Sequence, residues 1–198
     1  MKTKVDAAGR SVYSKSKDWC TPFKYVQAVK DVFGGSIDLD PCSNKDSIVQ
    51  AKVEYILPFK NGLTESWNYK TIYVNPPYGA DRERNTTIKD WIKKCACTYE
   101  QFHSQIIALV PVATNTTHWK YYIFGSAKAI CFLADTRLKF LVNGSEENKG
   151  APMACCMVYW GDNFYRFKTV FNKHGAVVDI SETISQCKSQ EYSEQALF

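Results

Sequence analysis

Residues 71–79, of sequence TIYVNPPYG, constrain the fold most, because a short apolar run ends there in a loop with two adjacent prolines. The apolar run Ile-Tyr-Val is β-branched or aromatic, which favours a central strand in a sheet that is covered on both faces. Pro76 and Pro77 lack backbone N–H groups and keep the residues before them extended, so the strand must end there. The sequence therefore predicts a rigid loop that projects the Asn75 amide and the Tyr78 ring.

The four residues Asn75, Pro76, Pro77 and Tyr78 resemble the signature of the amino-methyltransferases, which use S-adenosylmethionine to methylate adenine N6, cytosine N4 or a glutamine amide. An exocyclic NH₂ group is a weak nucleophile because its lone pair is delocalised into the ring. Two acceptors, Asn75 Oδ1 and the Pro76 carbonyl, would bind its two hydrogens and favour a more pyramidal nitrogen. Tyr78 would stack on a base rotated out of its duplex, which costs on the order of a few kcal/mol. A proline-terminated strand that packs a tyrosine is the alternative interpretation.

The size and charge of the chain fit a single domain with a polyanionic partner. At 198 residues it is long enough to bury a substantial core, and its formal net charge is +5. No stretch approaches the roughly 18 apolar residues of a membrane span, and residues 1–18 lack the apolar region of a signal peptide, so we expect a cytoplasmic location. We predict a flexible basic arm at 1–18, which would contact phosphates or stay disordered, one methyltransferase domain at 19–180 and a polar tail at 181–198.

Eight cysteines and three histidines raise the possibility of disulfides or of a metal site. The cysteines form no C-x-x-C pair and mostly lie inside apolar runs, which favours buried free thiols. His103, His118 and His174 are scattered along the chain and do not complete a ligand set. We therefore expect no bound metal.

A first upstream motif, W-x-T-P, contains Trp19, Thr21 and Pro22. Apolar residues follow it at spacings of three and four, which predicts a helix to about Val32 with Thr21 as N-cap and Pro22 in the first turn. In adenine-N6 methyltransferases a T-P turn before the first strand lies against the methionine part of the cofactor, and the resemblance implies that position here. A capped amphipathic helix without a ligand is the alternative.

A second upstream motif, D-L-D-P-C, ends a predicted first strand at residues 36–40. An acidic residue at the carboxyl end of a parallel strand lies where open α/β sheets bind nucleotide-like ligands. The motif resembles the acidic-Pro-small-Cys form of the cofactor motif in adenine-N6 methyltransferases, which implies cofactor contacts for Asp38, Asp40, Pro41 and Cys42. The glycines that usually follow are absent, so the individual contacts stay open, and a capped strand end is the alternative.

A turn at Asn61, Gly62 and Leu63 follows a short predicted strand at residues 53–57. Related enzymes place an acidic-Gly-Leu turn at this point, beside the cofactor adenine. Asn61 replaces the acid, so an amide would have to recognise the adenine edge. The resemblance thus adds Asn61 and Leu63 to the cofactor site, which also includes Asn75.

Two regions carry candidate DNA contacts. The charged residues 80–85, which we call the flap, include Arg82 and Arg84 and would cover the target and its phosphates. The sequence R-L-K-F is close to a basic-aromatic strand that lies near the target base in phage-type adenine methyltransferases; Arg137 would bind a phosphate or a base edge and Phe140 would stack. Solvated loop charge and ordinary sheet residues are the alternatives.

The order of helices and strands predicts an α/β fold. Further elements are predicted as a helix from Thr86 or Thr87, a buried strand at 105–112, a helix at 114–125, and strands at 130–133, 138–142, 153–160 and 176–180. Together with the resemblance, this order implies a Rossmann-like, S-adenosylmethionine-dependent methyltransferase fold with a mainly parallel sheet, helices on both faces and a C-terminal β-hairpin.

The motifs W-x-T-P, D-L-D-P-C, G-L-x-x-x-W, N-P-P-Y-G and R-L-x-F follow one another over residues 19–160. The resemblance implies a DNA adenine-N6 methyltransferase of the small phage type that acts on double-stranded DNA with S-adenosylmethionine as donor. RNA adenine, cytosine N4 and protein glutamine are alternative acceptors. A catalytically silent nucleic-acid-binding module of the same fold is a further alternative.

Overall fold

The computed structural model describes residues 19–135, 138–142, 145–146, 151 and 153–183. The predicted basic arm, most of the predicted polar tail and Arg137 lie outside these residues. Within the described part of the chain, no helix is long and apolar enough to cross a membrane. The seven cysteines in this part are free, as predicted, and five of them are buried.

The described strands are β1 (Leu39–Ser43), β2 (Val53–Ile56), β3 (Thr71–Val74), β4 (Gln105–Pro111), β5 (Ala129–Leu133), β6 (Leu141–Val142), β7 (Ser145–Glu146), β8 (Cys155–Trp160) and β9 (Gly175–Asp179). Seven of them form one sheet in the order β2-β1-β3-β4-β8-β5-β9, and β6 pairs with β7 as a separate hairpin. The short strand predicted at 53–57 is thus confirmed as the edge strand β2.

Four helical segments cover the two faces of this sheet. They are α1 (Phe23–Phe33), α2 (Ile88–Phe102), a π-helical turn (Trp119–Ile123) and α3 (Phe164–Phe171). Buried residues of α1 and α3 belong to one apolar cluster, and those of α2 and the π-helical turn belong to the other. The prediction of helices on both faces is therefore confirmed, whereas α3 was not predicted at all.

The sheet divides into a parallel and an antiparallel half. Strands β2, β1, β3 and β4 are parallel neighbours, whereas β8, β5 and β9 are joined by antiparallel pairing. The α/β class is confirmed, but a mainly parallel sheet describes only the half that carries the motifs. The described hairpin, β6–β7, lies between β5 and β8 along the chain, and the last described strand, β9, pairs with β5. The hairpin is therefore not C-terminal.

The two central parallel strands, β3 and β4, are buried along almost their whole length. Their side chains alternate between the two clusters: Tyr73 and Ile107 lie in one, and Ile72 and Ile106 in the other. A strand that is covered on both faces needs apolar residues at every position, which explains the unbroken apolar runs in the sequence.

The first strand begins and ends three residues later than predicted. Strand β1 covers Leu39–Ser43, so that Pro41 and Cys42 lie within it rather than after it, and Asp38 lies before it. Pro41 has no N–H group for the ladder, and the register with β2 shifts between Asp40 and Ser43 before pairing resumes. The strand thus tolerates its proline through a local irregularity.

Candidate active site

The predicted motifs meet at the carboxyl edge of the parallel strands. Strands β1 and β3 are direct neighbours, with Leu39 opposite Ile72, and β4 follows on the other side of β3. The loops after these three strands therefore leave the sheet at the same edge. The Asn-Pro-Pro-Tyr loop follows β3 at the centre of that edge.

The side chain of Asn75 is held in a defined orientation. Its Nδ2 donates a hydrogen bond of 2.9 Å to the backbone carbonyl of Trp19. Because a carbonyl only accepts, the amide must direct its nitrogen toward Trp19 and its oxygen away from it. Neither Asn75 Oδ1 nor the carbonyl of Pro76 receives a hydrogen bond from the described residues. Two unpaired acceptors are thus present side by side in the loop.

Tyr78 is fixed at its hydroxyl and at its ring. The hydroxyl donates to the carbonyl of Leu109 over 3.2 Å, and the ring meets Trp19 and Phe140 in edge contacts with centroid distances of 6.4 Å and 5.9 Å. Burial raises the pKa of Tyr78 well above its usual value, so the phenol stays neutral. Pro77, which precedes it, is exposed.

The segment that contains Trp19, Thr21 and Pro22 packs against this loop. The Thr21 hydroxyl is buried and forms a 2.7 Å hydrogen bond with the hydroxyl of Tyr73 in β3. It is therefore not the N-cap of α1; Pro22 holds that position, without a side-chain cap. The prediction of a helix start near these residues is confirmed, but the predicted capping role of Thr21 is wrong, because its hydroxyl is used to join two segments.

Phe140 lies inside the protein rather than on a binding surface. Its side chain is 2% exposed, and its ring stacks on Trp19 at a centroid distance of 5.0 Å and an angle of 11°. One face of the ring is thus covered by Trp19, and Tyr78 contacts it from the side. This placement does not offer a ring face to a DNA base. The other residue predicted in this strand to bind DNA, Arg137, lies outside the described residues.

Asp40 is a buried carboxyl group beside the loop. It is 4% exposed, accepts a 3.1 Å hydrogen bond from the backbone N–H of Cys42, and faces the charge of Glu54. Burial raises its pKa to about 7, although the Cys42 N–H favours the charged form. The thiol of Cys42 interacts with both Asp40 and the backbone N–H of Asn75. The D-P-C motif thus reaches the catalytic-loop candidate directly.

Asp38, in the same motif, lies at the amino end of the parallel strands, opposite to the Asn-Pro-Pro-Tyr loop. Its Oδ2 accepts from the backbone N–H and the hydroxyl of Thr71, at 3.1 Å and 2.9 Å, and its Oδ1 pairs with Lys52 at 2.7 Å. Thr71 is the first residue of β3, so these contacts join the amino ends of β1 and β3. The contacts give Asp38 a structural role, away from the edge where a cofactor was expected.

The turn of Asn61, Gly62 and Leu63 is rigid and lies on β1. Asn61 Oδ1 accepts from the Leu63 N–H at 3.0 Å, and the indole N–H of Trp67 donates to the Gly62 carbonyl at 2.8 Å. A Cβ atom on Gly62 would overlap the carbonyl of Pro41, so only glycine allows this approach. The side-chain oxygen of Asn61 is therefore used within the turn, and its NH₂ group is the part available to a ligand.

The flap is a turn closed by its own residues. Two backbone hydrogen bonds, of 2.8 Å and 3.0 Å, join Asp81 and Thr86. The Asp81 carboxylate accepts from the backbone N–H of Arg84 and forms a 2.7 Å ion pair with its guanidinium. Arg82 is exposed and has no acidic partner within the described part of the chain. The two predicted DNA contacts thus differ: Arg84 is paired, and Arg82 is available.

The turn that follows β4 was not predicted as part of the site. Thr114, Asn115 and Thr117 are exposed there, and the Thr116 hydroxyl donates to the carbonyl of Ala113 at 2.7 Å. The signal was present, because a polar run after a buried parallel strand belongs to the ligand-binding edge. The polar run was predicted instead as the start of a helix at 114–125, and the main helical element found there is the π-helical turn.

Polar groups near the D-P-C motif fit a polar ligand. The Ser43 hydroxyl, at the end of β1, lies beside the Asp40 carboxyl and favours its charged form. The buried indole N–H of Trp19 has no hydrogen-bond partner among the described residues. The thiol of Cys20 contacts Asn44 and Asp46, which brings the Trp19 segment next to the turn after β1. Within the described residues, no group of three or more potential ligands could hold a metal ion.

Comparison with known proteins finds a family and a relative that this chain resembles. Residues 10–188 match the family described as DNA N-6-adenine-methyltransferase (Dam). A DNA N-6-adenine-methyltransferase of Haemophilus phage HP1 (strain HP1c1) is 24% identical over 130 residues, which is 65% of this chain and 69% of that protein. No solved structure gives a significant match.

Proposed function

The chain belongs to the DNA N-6-adenine-methyltransferase (Dam) family, and on this premise we propose that it methylates adenine in double-stranded DNA at the loop 75–78, with S-adenosylmethionine as donor. Adenine-specific DNA methylation is the activity of the family; the donor and the roles of individual residues are our proposal. The single observation that carries the proposal is the orientation of the Asn75 amide, whose nitrogen donates a hydrogen bond to the carbonyl of Trp19.

The loop suits an exocyclic amine because it offers acceptors only. Asn75 Oδ1 and the Pro76 carbonyl are both unpaired within the described residues, so each can bind one hydrogen of the adenine NH₂ group. Two such bonds favour a pyramidal nitrogen with a localised lone pair, which is the form that attacks a methyl group. Because Trp19 fixes the amide before the substrate arrives, little reorganisation is needed during the reaction.

The ring of Tyr78 and the rigid prolines define the space for the base. An adenine must leave its duplex to reach the loop, and stacking on an aromatic ring offsets part of the cost, by about 1–3 kcal/mol. The hydroxyl of Tyr78 is bonded to Leu109, which holds the ring plane in place. Pro76 and Pro77 keep the backbone on both sides of the acceptor pair extended.

The cofactor site that we propose lies over the carboxyl end of β1. S-adenosylmethionine supplies an electrophilic methyl group on a sulfonium. Asp40, Cys42, Asn61 and Leu63 would hold the nucleoside side, and Trp19, Thr21 and Pro22 the amino-acid side. The buried carboxyl of Asp40 and the neighbouring hydroxyl of Ser43 fit ribose hydroxyl or ammonium groups. Asp38 is left out of this set, because its oxygens are bound to Thr71 and Lys52.

DNA would approach the same edge from the side of β4. We propose that Arg82 binds a phosphate, that Arg84 shapes the flap through its ion pair with Asp81, and that the polar turn with Thr114 and Asn115 faces the duplex. These side chains are exposed and flank the loop of Asn75. In this proposal the cofactor lies at β1 and β2 and DNA lies at β4, on either side of β3 in the sheet order.

The direct test is methyl transfer from labelled S-adenosylmethionine to unmodified double-stranded DNA, followed by nucleoside analysis. The expected product is N6-methyladenine, and the cofactor alone should raise the melting temperature of the protein. Single-stranded DNA, RNA and a glutamine-containing protein serve as competing acceptors. Label in one of these, or in cytosine, without N6-methyladenine in the duplex would contradict the proposal.

A further inference from the structure

The peptide group between Trp19 and Cys20 forms one hydrogen bond through its carbonyl and another through its N–H. The carbonyl of Trp19 accepts from Asn75 Nδ2 at 2.9 Å, and the N–H of Cys20, in the same peptide plane, donates to the carbonyl of Leu141 at 2.9 Å. A second bond, from the N–H of Leu141 to the carbonyl of Cys20 at 2.8 Å, completes a two-residue antiparallel bridge. One planar group thus connects the loop after β3 to strand β6 and the residues before it.

From this arrangement we infer that residues 140–141 position the amide of Asn75, with Phe140 as a positioning residue rather than a base-stacking one. The inference rests on the proposed role of Asn75. The hydrogen bonds run in one direction, from Asn75 through the peptide group to Leu141, so each polarises the next. A shift of residues 140–141 is therefore transmitted to the amide through a rigid plane.

The ring of Phe140 secures the same segment from its side-chain face. It stacks on Trp19 at 5.0 Å with nearly parallel planes and touches the edge of Tyr78 at 5.9 Å. Two neighbouring residues thus hold the Trp19 segment in two ways: Leu141 binds its backbone, and Phe140 covers its indole. Because Phe140 is 2% exposed, it reaches DNA only through the residues that it supports.

Orientation matters because the two ends of an amide differ. If the peptide plane moved and Asn75 rotated, its NH₂ group would face the NH₂ group of adenine, and one acceptor would be lost. Displacement of a reacting group by about 1 Å is enough to cost roughly 10²-fold in rate. DNA binding does not depend on the rotation of one amide and should not change, whereas cofactor affinity is expected to fall with any displacement of Trp19, which belongs to the proposed cofactor site.

The decisive variant is Phe140→Leu, which keeps an apolar side chain but removes the stacked ring. We expect kcat, measured at saturating cofactor, to fall by about ten- to a hundredfold, with unchanged KM for DNA. Leu138→Val is the matched control, because Leu138 is also buried, lies two residues earlier and makes no ring contact with Trp19. It should lose stability without this loss of kcat. Phe140→Met serves if the leucine variant does not fold.

The NMR signals of the Asn75 side-chain NH₂ group provide a readout that needs no substrate. They are assigned by their loss in Asn75→Asp, and in the native protein they should be shifted and protected from exchange by the bond to Trp19. Phe140→Leu should move them toward free-amide values, and Leu138→Val should not. If the signals stay in place while KM for DNA rises, Phe140 contacts DNA and the inference is overturned; equal kcat losses in the two variants overturn it as well. If the native protein methylates no adenine but the signals move as expected, the proposed function fails and the positioning stands.

Discussion

The floor of the site and the flap lie at the same edge of the sheet but are held in different ways. The floor consists of Trp19, Cys20, Asn75, Tyr78, Phe140 and Leu141. It joins three distant segments of the chain, through the bond from Asn75 to Trp19, across 56 positions, and through the bridge between Cys20 and Leu141. The bonds that shape the flap connect Asp81 with residues no more than five positions away.

This difference separates two kinds of functional contribution. The floor is complete only when the whole domain has folded, so its geometry is as rigid as the core that supports it. The flap is a local turn on the surface, and in our proposal its charges act on DNA through solvent. We therefore expect substitutions in the floor to change turnover, and substitutions in the flap to change DNA affinity and its dependence on salt.

The largest effect is expected for Asn75→Ala. Loss of the Oδ1 acceptor removes an interaction with the reacting amine, and removal of one preorganised hydrogen-bonding group from an active site costs about 10²–10³-fold in kcat. The change should appear in single-turnover methylation of duplex DNA, with little change in the cofactor-induced rise of melting temperature.

Asn68→Ala provides the matched control for this variant. Asn68 is an exposed asparagine in the segment before β3, away from the carboxyl edge. It should retain native turnover. If Asn75→Ala turned over normally at saturating DNA and showed only a raised KM, the floor would contribute to binding rather than to chemistry, and the comparison would fail.

Much of the parallel half of the fold could be predicted, because a strand covered on both faces has an unmistakable composition. The runs at β3 and β4 are apolar at nearly every position, and Gly34 ends α1 in the left-handed conformation with a φ of 87°, as the glycine pair predicted. The antiparallel half could not be predicted equally well. Strand β9 pairs with β5 rather than with β8, and α3, which lies between β8 and β9 in the chain, contacts both β5 and β9.

The candidate site could be identified from motif order, but its contacts could not. A sequence shows that Thr21 has a hydroxyl and Phe140 a ring; it does not show that Tyr73 takes up the hydroxyl or that Trp19 covers the ring. Two carboxylates in D-L-D-P-C also look alike in sequence. Their positions along the strands decide the difference: Asp40 lies buried within β1, whereas Asp38 precedes β1 and is bound by Thr71 at the amino end of β3.

The different surroundings of Asp40 and Asp38 predict an effect of intermediate size on the pH dependence of cofactor affinity. Burial raises the pKa of Asp40 to about 7, and if its ionised form binds the cofactor, affinity should rise about tenfold from pH 6 to pH 8. For Asp38 burial acts in the same direction, but hydrogen bonds from Lys52 and Thr71 outweigh it and lower its pKa. Calorimetric titration with S-adenosylmethionine should therefore lose its pH dependence in Asp40→Asn and keep it in Asp38→Asn.

The stability of the ligand-free protein should respond to pH with the opposite sign. A carboxyl with a folded-state pKa of about 7, against 3.8 as its ordinary value, binds more protons in the folded state between these values. Its contribution to the free energy of unfolding is thus greatest at low pH and declines as pH rises from about 4 to 7. Asp40→Asn should flatten this decline in thermal unfolding. An unchanged slope in the variant would show that a group other than Asp40 causes the decline.

The smallest effect is expected in the flap, where Arg82 and Arg84 carry the same charge in different surroundings. Arg82 has no acidic partner within the described residues, whereas Arg84 is paired with Asp81 at 2.7 Å. Arg82→Ala should weaken DNA binding with kcat unchanged and reduce the slope of log affinity against log salt by about 1. Arg84→Ala should change that slope less, because the charge of Arg84 is already balanced by Asp81. Lys70→Ala, at the amino end of β3, removes an equal charge at the opposite edge and should leave the slope unchanged. If all three variants reduced the slope equally, DNA would respond to net charge alone, and the flap would have no specific role in binding it.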